Sequence, residues 1–265
     1  MDYVIIGGGN MGRAMAVALV ETGVCAPERL LVVDPEPACR EKLVPLGCAL
    51  ASVADSRVGE ASVVVLAVKP QVSGAMMAGL RPFLKSGQVV VSIMAGVAMA
   101  KLRDGLRHES LVRAMPNTPA QIGQGMNVYF PAEVVPANDL KRVEALLEAC
   151  GEVLRVDTED AIDAATAISG SGPAYVFYVA ENWIRAAEAL GFDSHQATKL
   201  VQQTLLGATE LWKRSAMSAA TLREQVTSKG GTTAAALEHF NAAAVGEGIR
   251  EGIGRAYQRA KELSQ

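Results

Sequence analysis

The sequence predicts an α/β protein in which a mostly parallel sheet is followed by an all-helical region. Short runs of Val, Ile and Leu alternate with helical patterns over about the first 155 residues. After residue 156 the strand-like runs end, and apolar residues recur only at helical spacing. Alternating strands and helices at this spacing are typical of parallel strands joined by right-handed crossovers. We therefore predict two domains, residues 1–156 and 157–265.

Composition excludes several classes of protein. Half of the 265 residues are hydrophobic and 20% are charged, as in a globular chain rather than a disordered one. The formal net charge of −3 lacks the basic excess of nucleic-acid-binding proteins. The longest aliphatic runs, such as residues 63–68, are far shorter than the roughly 18 residues that span a membrane. We expect neither a nucleic-acid partner nor a membrane association.

The predicted elements follow this order along the chain. Strands are predicted over residues 4–6, 30–33, 63–67, 89–91, 111–114, 126–130 and 152–156, and helices in the first domain over 10–22, 36–46 and 138–149. In the second domain we predict helices over 173–190, 194–212 and 232–263. Gly191 is predicted as a helix C-cap and Asp193 as the next N-cap.

A glycine-rich turn, residues 7–12, has the pattern G-x-G-x-x-G between the first strand and the first helix. Gly7 allows the tight turn, Gly9 lets backbone approach a pyrophosphate, and Gly12 lets the helix pack close to the strand. The helix N-terminus would offer its N–H groups to the phosphates. The context predicts a Rossmann-type domain that binds NAD or NADP.

Asp34 ends the second strand, 22 residues after Gly12, where a carboxylate accepts a bond from the adenosine ribose 2′-OH. It should repel a 2′-phosphate and so favour NADH, whereas Arg40 either offsets this for NADPH or is simply a solvated residue of the next helix. The segments 67–70 and 92–96 end two further strands. Each is either a backbone border of the cofactor or merely the end of a strand.

The turn at residues 228–233, S-K-G-G-T-T, has two interpretations, a ligand site and a structural junction. Two glycines before a helix expose successive N–H groups that fit a carboxylate, with Thr233 offering a hydroxyl. Alternatively, it is a glycine-broken helix junction with a Thr N-cap. The turn at 169–173 contacts a ligand or is structural, and Asn117 has the polar reach to touch nicotinamide or substrate.

Several ordered motifs resemble pyrroline-5-carboxylate reductases. They are residues 7–12, A-V-K-P at 67–70, 92–97, M-P-N-T-P at 115–119, S-G-S-G-P-A-Y at 169–175 and V-T-S-K-G-G-T-T at 226–233. The resemblance covers nearly the whole chain. It implies reduction of Δ1-pyrroline-5-carboxylate to L-proline, the last step of proline biosynthesis, with hydride from NADPH or NADH. It also implies a homodimer through the helical domain, which in this family often assembles into a decamer.

The residue patterns and the resemblance together assign residues to each site. The cofactor-binding residues would be Gly7, Gly8, Gly9, Asn10, Met11, Gly12, Asp34, Ala67, Val68, Lys69, Pro70, Ile93, Met94, Ala95 and Asn117. The substrate-binding residues would be Val226, Thr227, Ser228, Gly230, Gly231, Thr232 and Thr233, with Thr233 as the catalytic residue beside the ring nitrogen. The family often has a neutral residue in place of Asp34, and many members have an Asn near Ala54, so the NADPH preference is open.

Other functions leave no matching pattern. His108, His195 and His239 fall outside every motif, and no zinc or hydrolase signature occurs, so we expect no metal. A β-hydroxyacid dehydrogenase would need a catalytic Lys on an early helix of the second domain, yet no Lys occurs between Lys141 and Lys199. A reductase of a related cyclic imine and a non-catalytic NAD(P)-binding module remain the alternatives.

The four cysteines, Cys25, Cys39, Cys48 and Cys150, form no C-x-x-C pair, and no secretory signal precedes the first strand. We expect free thiols and a cytoplasmic protein. The helices at 173–190 and 232–263 carry wide apolar faces that one small domain would struggle to cover. This favours a homodimer.

Overall fold

The computed structural model describes residues 1–264, in which eight strands form one sheet. The strands are β1 Tyr3–Ile6, β2 Leu30–Val33, β3 Ala49–Ala51, β4 Val63–Leu66, β5 Val89–Ser92, β6 Leu111–Met115, β7 Gly125–Pro131 and β8 Gly151–Arg155. Their order across the sheet is β3-β2-β1-β4-β5-β6-β7-β8. Every neighbouring pair is parallel except β6 and β7. This confirms the predicted mostly parallel sheet.

The central strands are buried on both faces. All four residues of β1, β2, β4 and β5 are buried. Alternate residues enter two separate cores: Ile5 and Val32 belong to one, and Val4 and Leu31 to the other. Side chains alternate between sheet faces, so a run of Val, Ile and Leu without polar gaps is what a doubly covered strand requires.

Six α-helices belong to the first part of the described chain. They are α1 Asn10–Glu21, α2 Pro37–Glu41, α3 Ser73–Leu80, α4 Met99–Leu106, α5 Ala137–Glu148 and α6 Asp160–Ala165. A π-helical turn, Thr166–Gly170, follows α6. The predicted helix over 36–46 is wrong in its second half, where Pro45 lies in a 3-10 turn, Val44–Leu46. Proline has no N–H to continue an α-helical ladder.

Five α-helices make up the rest. They are α7 Gly172–Ala189, α8 Ser194–Arg214, α9 Ala219–Gln225, α10 Thr232–Ala242 and α11 Val245–Ser264. Gly191 has φ +100°, and its N–H donates to Glu188 O while that of Phe192 donates to Ala187 O, as in a Schellman motif. Asp193 forms a capping box with Gln196. Both predicted caps are confirmed.

The predicted continuous helix over 232–263 is wrong. It breaks between α10 and α11 at Ala244, which adopts φ +53°. Ala244 itself is neither Gly nor Pro, and the apolar spacing continues on both sides, so only Gly246 and Gly248 in the first turn of α11 signalled a weak point in the predicted helix. The helices α3, α4, α6 and α9 were not predicted, nor was β3.

Internal contacts divide the chain into two compact units. Unit 1 contains Met1–Pro173 together with the chain from Arg255 onward, and unit 2 is Ala174–Gly254. The first division lies after Pro173 rather than after residue 156, because α6 contacts β6 and β7. The second half of α11 belongs to unit 1 because its end bonds residues of β6 and α6.

Candidate nucleotide and substrate sites

The glycine-rich turn between β1 and α1 is held tightly on one side and open on the other. Gly7 has φ +111°, and a Cβ there would lie 2.5 Å from Ala67 O. A Cβ on Gly12 would lie 1.9 Å from Gly7 O. Gly9, the N-cap of α1, has no heavy atom within 4 Å of the place its Cβ would take. The turn therefore packs against β4 through Gly7 and Gly12 and leaves a free surface at Gly9.

This turn lies where open α/β sheets bind ligands. It follows the carboxyl end of β1, and the sheet order reverses direction between β1 and its neighbours β2 and β4. No side chain accepts a hydrogen bond from the first turn of α1 in the described chain, and no acidic residue stands there. Free N–H groups and the positive end of the helix dipole fit a pyrophosphate. Asn10 is exposed and Met11 half-buried beside them.

Asp34 fixes the glycine-rich turn from the neighbouring strand. Its Oδ2 accepts a hydrogen bond from Gly8 N–H at 2.7 Å, and its Oδ1 accepts one from Glu36 N–H at 2.8 Å. Arg40 Nη1 donates to the carbonyl oxygens of Asp34 at 2.6 Å and Pro35 at 2.9 Å. A carboxylate and a guanidinium thus stand together at the end of β2. The sequence singled out Arg40 but could not show that it bonds the backbone that follows β2.

The ends of β4 and β5 lie beside this turn in the sheet. Ala67 N–H donates to Ile6 O, and Ile93 N–H donates to Leu66 O, so the ladder continues past each strand end. Ala67, Val68 and Pro70 are half-buried and Lys69 is exposed, followed by a 3-10 turn. Ile93 and Ala95 are half-buried, whereas the Met94 side chain is only 2% exposed in the core. Met94 can therefore border a cofactor only through its backbone.

Asn117 uses its side-chain amide inside the protein. Its Nδ2 donates to Ser169 O at 3.0 Å, and its Oδ1 accepts from Met126 N–H at 2.9 Å. It joins the end of β6 to the start of β7 and to the π-helical turn. A Cβ on Gly170 in that turn would lie 2.8 Å from Met115 Cε. Asn117 therefore has one N–H left for a ligand, and its first task is to hold the small-residue turn at 169–173.

In unit 2, the segment from Ser228 to Gly231 forms a tight turn before α10. Gly231 N–H donates to Ser228 O at 3.0 Å, and Gly230 at the third position has φ +73°. Positive φ at that position alone defines a type II turn, which favours glycine. Gly231, rather than a threonine, is the N-cap of α10 and provides no side-chain cap. The Thr N-cap of the alternative interpretation is therefore wrong, whereas the glycine-broken junction between two helices is present.

The first turn of α10 presents free donors. The first helical N–H donated within the chain is that of Ala235, to Gly231 O. Within residues 1–264 no acceptor is bonded to the N–H groups of Thr232 and Thr233, and the half-buried Thr233 hydroxyl has no hydrogen-bond partner. Such an N-terminus fits a carboxylate.

The start of the same segment is tied to α9. Val226 is its exposed C-cap, and Thr227 donates from its hydroxyl to Arg223 O at 2.6 Å. Ser228 Oγ would lie 2.4 Å from a Cβ on Gly231, so a side chain there would require the Ser228 hydroxyl to rotate away. The segment 226–233 is thus a defined turn between two helices, and the free donors are concentrated at its C-terminal end.

The cysteines and histidines do not build a reactive site. Burial raises the pKa of the Cys25 and Cys150 thiols to about 11, which disfavours the nucleophilic thiolate. His108 is buried with Nε2 2.8 Å from Gln88 O, and His195 and His239 are exposed. Among residues 1–264 no cluster of metal-ligating side chains occurs. No described helix is both long and apolar enough to cross a membrane.

Comparison with known proteins matches both parts of the chain. Residues 159–263 match the family model described as pyrroline-5-carboxylate reductase dimerisation. Residues 2–96 match the family model described as NADP oxidoreductase, coenzyme F420-dependent. The first match covers the helical region that we predicted as a dimerisation domain, and the second covers the glycine-rich turn and the strand ends around it.

Individual relatives match over the full length. A pyrroline-5-carboxylate reductase of Pseudomonas aeruginosa is 39% identical, over 98% of this chain and 96% of that protein. The solved structure of such a reductase from Coxiella burnetii is 34% identical with a TM-score of 0.92, over 100% of this chain and 98% of the other. That from Plasmodium falciparum, with NADP bound, is 27% identical with a TM-score of 0.89, at 100% and 98% coverage. The resemblance predicted from the motifs is confirmed: the chain belongs to the pyrroline-5-carboxylate reductase family.

Proposed function

We propose that this chain reduces Δ1-pyrroline-5-carboxylate to L-proline with hydride from NAD(P)H, the last step of proline biosynthesis. The observation that carries the proposal is the N-terminus of α10. The N–H groups of Thr232 and Thr233 have no acceptor in the described chain, and the Thr233 hydroxyl has no hydrogen-bond partner there. A small carboxylate is the ligand that such donors bind. The glycine-rich turn in unit 1 has the open surface at Gly9 that a dinucleotide needs.

Reduction of a protonated imine needs little acid–base catalysis from the protein. A ketone becomes an alkoxide on reduction and needs a positioned acid, whereas an imine protonated on nitrogen is already electrophilic. NAD(P)H, when bound, supplies the hydride. The task left to the chain is to clamp the substrate carboxylate and orient the ring. We assign the clamp to residues 226–233 and the contact with the ring nitrogen to the Thr233 hydroxyl.

The nucleotide is assigned to residues already described. Gly7 to Gly12 would hold the pyrophosphate, Asp34 the adenosine ribose, and the segments 67–70 and 93–95 the nicotinamide half, with Asn117 contributing its remaining N–H. Asp34 favours NADH because its charge repels a 2′-phosphate, and Arg40 at the same strand end favours NADPH. Both nucleotides are therefore proposed as substrates.

We infer a homodimer through the helical unit. Large apolar side chains of α7 and α8 are exposed in the single chain, including Phe177 at 68%, Tyr178 at 67% and Leu206 at 65%. Of the eighteen residues of α7, only Ala187 is buried. Contiguous apolar surface of this kind marks a protein interface. A decamer built from such dimers and a cytoplasmic location remain our expectations. Light scattering that gives a monomer would contradict the dimer.

The proposal is tested by turnover. Purified protein is mixed with DL-pyrroline-5-carboxylate and NADH or NADPH, and nucleotide absorbance and proline are followed. We expect proline to form with at least one nucleotide. Nucleotide binding without turnover would favour the alternative of a non-catalytic module. Turnover only with other ring sizes would favour the reductase of a related cyclic imine.

A further inference from the structure

The last turn of α11 contacts a buried ion cluster in unit 1. Arg113, in β6, has a side chain only 2% exposed. Its Nη1 donates to Glu159 Oε1 at 2.9 Å, and its Nη2 donates to Asp163 Oδ1 at 2.6 Å. Ser264, in the last turn of α11, donates from its hydroxyl to Asp163 Oδ1 at 2.8 Å and accepts from Arg113 Nη2 at 3.2 Å. Two carboxylates and one hydroxyl therefore share one buried guanidinium.

The same turn also contacts the segment that follows β5. Gly96 adopts φ +68°, and a Cβ there would lie 2.8 Å from Leu263 Cβ and 2.9 Å from Leu263 O. This glycine directly follows Ile93, Met94 and Ala95. A side chain on Gly96 would not fit against α11. The backbone that directly follows residues 93–95 therefore lies against the backbone of this helix.

A hydrogen bond connects the cluster and the segment. Met99 N–H, at the start of α4, donates to the same Glu159 Oε1 that pairs with Arg113, at 2.7 Å. The chain between β5 and α4 is therefore held at Gly96 by Leu263 and at Met99 by the ion cluster. Met94 and Val97 anchor it as well, since both side chains are buried in the core.

We infer that the pair Leu263 and Ser264, in the last turn of α11, is a positioning element for nucleotide binding. It holds the backbone of residues 93–95 in one conformation before the nucleotide binds. This lowers the conformational entropy that is lost when these residues bind the nucleotide. The inference rests on the proposed function for its ligand. Since α11 begins in the helical unit with Val245 and ends on this segment, one helix joins the part assigned to the substrate to the part assigned to the nucleotide.

Two variants test the inference at different strengths. Ser264→Ala removes one hydroxyl from the cluster but leaves both carboxylates paired with Arg113. A chain that ends at Ala260 removes both the hydroxyl and the Leu263 contact with Gly96. The matched control is Glu262→Gln in the same helical turn, where the Arg259–Glu262 ion pair is exposed on both sides. Each variant is compared with the unaltered chain of 265 residues.

The measurements are the NADPH and NADH dissociation constants by calorimetry, the KM for pyrroline-5-carboxylate at saturating nucleotide, and thermal unfolding. We expect nucleotide Kd to rise about fivefold in Ser264→Ala, the effect of one hydrogen bond, and at least about tenfold in the shortened chain. The substrate KM and kcat should stay within about twofold, as uniform loss of nucleotide binding requires. Glu262→Gln should match the unaltered chain.

A merely structural role predicts a different result. Unfolding temperature would then fall in both variants while the nucleotide Kd of the folded protein stayed the same, and the inference would be overturned. Should the shortened chain fail to fold, Ser264→Ala decides alone. An unaltered chain that bound neither nucleotide would overturn the proposed function as well, whereas unchanged binding in the variants overturns only the positioning role.

Discussion

Two glycine-rich turns begin helices in this chain, and their conformations are held in different ways. Before α1, a side chain at Gly7 or Gly12 would collide with backbone atoms of Ala67 or Gly7 itself. Before α10, Gly230 needs its positive φ, but no heavy atom lies within 4 Å of the place its Cβ would take. Packing against the sheet fixes the first turn, and local conformation fixes the second. The first turn is therefore the less tolerant of substitution.

The largest effect is expected for Gly12→Ala. The new methyl group would stand 1.9 Å from Gly7 O, so α1 must move away from the sheet. We expect a loss of about 3 kcal/mol in the free energy of unfolding, the upper end of what overpacking costs. Nucleotide affinity should fall at least about 100-fold, because the displaced helix carries the donors. Denaturant unfolding and calorimetric titration with NADH measure the two effects.

Gly9→Ala is the matched control within the same turn. Gly9 has φ −64° and open space beside it, so alanine fits the backbone and should change stability by no more than about 0.5 kcal/mol. Only nucleotide binding should suffer, because the methyl group occupies the free surface. If Gly12→Ala folded and bound nucleotide normally, packing would not be what fixes this turn. If Gly9→Ala bound normally, the pyrophosphate would not lie there.

Gly230→Ala tests the second turn. An L-residue in the left-handed region costs about 1–2 kcal/mol without any collision. We expect that loss of stability and a rise of about tenfold in the KM for pyrroline-5-carboxylate. The N–H groups at the start of α10 would no longer be oriented toward the same ligand. Gly191→Ala is the control, since Gly191 also has positive φ and open space but lies outside the segment 226–233. It should lose similar stability with an unchanged substrate KM. An unchanged KM in Gly230→Ala would remove the substrate role of the turn.

The difference between the turns also explains what the sequence could predict. The glycine-rich turn of unit 1 was predictable residue by residue, because its glycines have fixed tasks against a strand. The mostly parallel sheet was predictable because each central strand is an unbroken apolar run. The substrate turn was left with two readings, since glycine before a helix serves equally as a cap and as a ligand site. In the structure the N-cap of α10 is Gly231 rather than a Thr, whereas binding of a ligand at this turn stays a prediction.

Contacts between residues distant in sequence were beyond prediction. Arg113 was placed in a strand, but nothing in the run L-V-R-A-M indicated partners in α6 and at the end of α11. Asn117 was predicted to touch a ligand, which stays a prediction, but its bonds to Ser169 O and Met126 N–H were not foreseen. A polar residue in a motif can be there to hold the motif together. Sequence spacing does not separate that role from binding.

The smallest effect is expected for Asp34→Asn, which sharpens the comparison because only the first turn is held by a side chain from a neighbouring strand. Asparagine keeps one acceptor oxygen, so one of the two backbone N–H groups of Gly8 and Glu36 loses its partner, at about 1 kcal/mol. Removing the negative charge favours the 2′-phosphate. We expect the NADPH-to-NADH ratio of kcat/KM to rise about fivefold.

Glu36→Gln removes an exposed charge two residues away and should change the ratio by less than about twofold, because exposed charges are screened by solvent. If Asp34→Asn left the ratio unchanged while lowering stability, Asp34 would act only by holding Gly8, and the choice of nucleotide would rest with Arg40 instead.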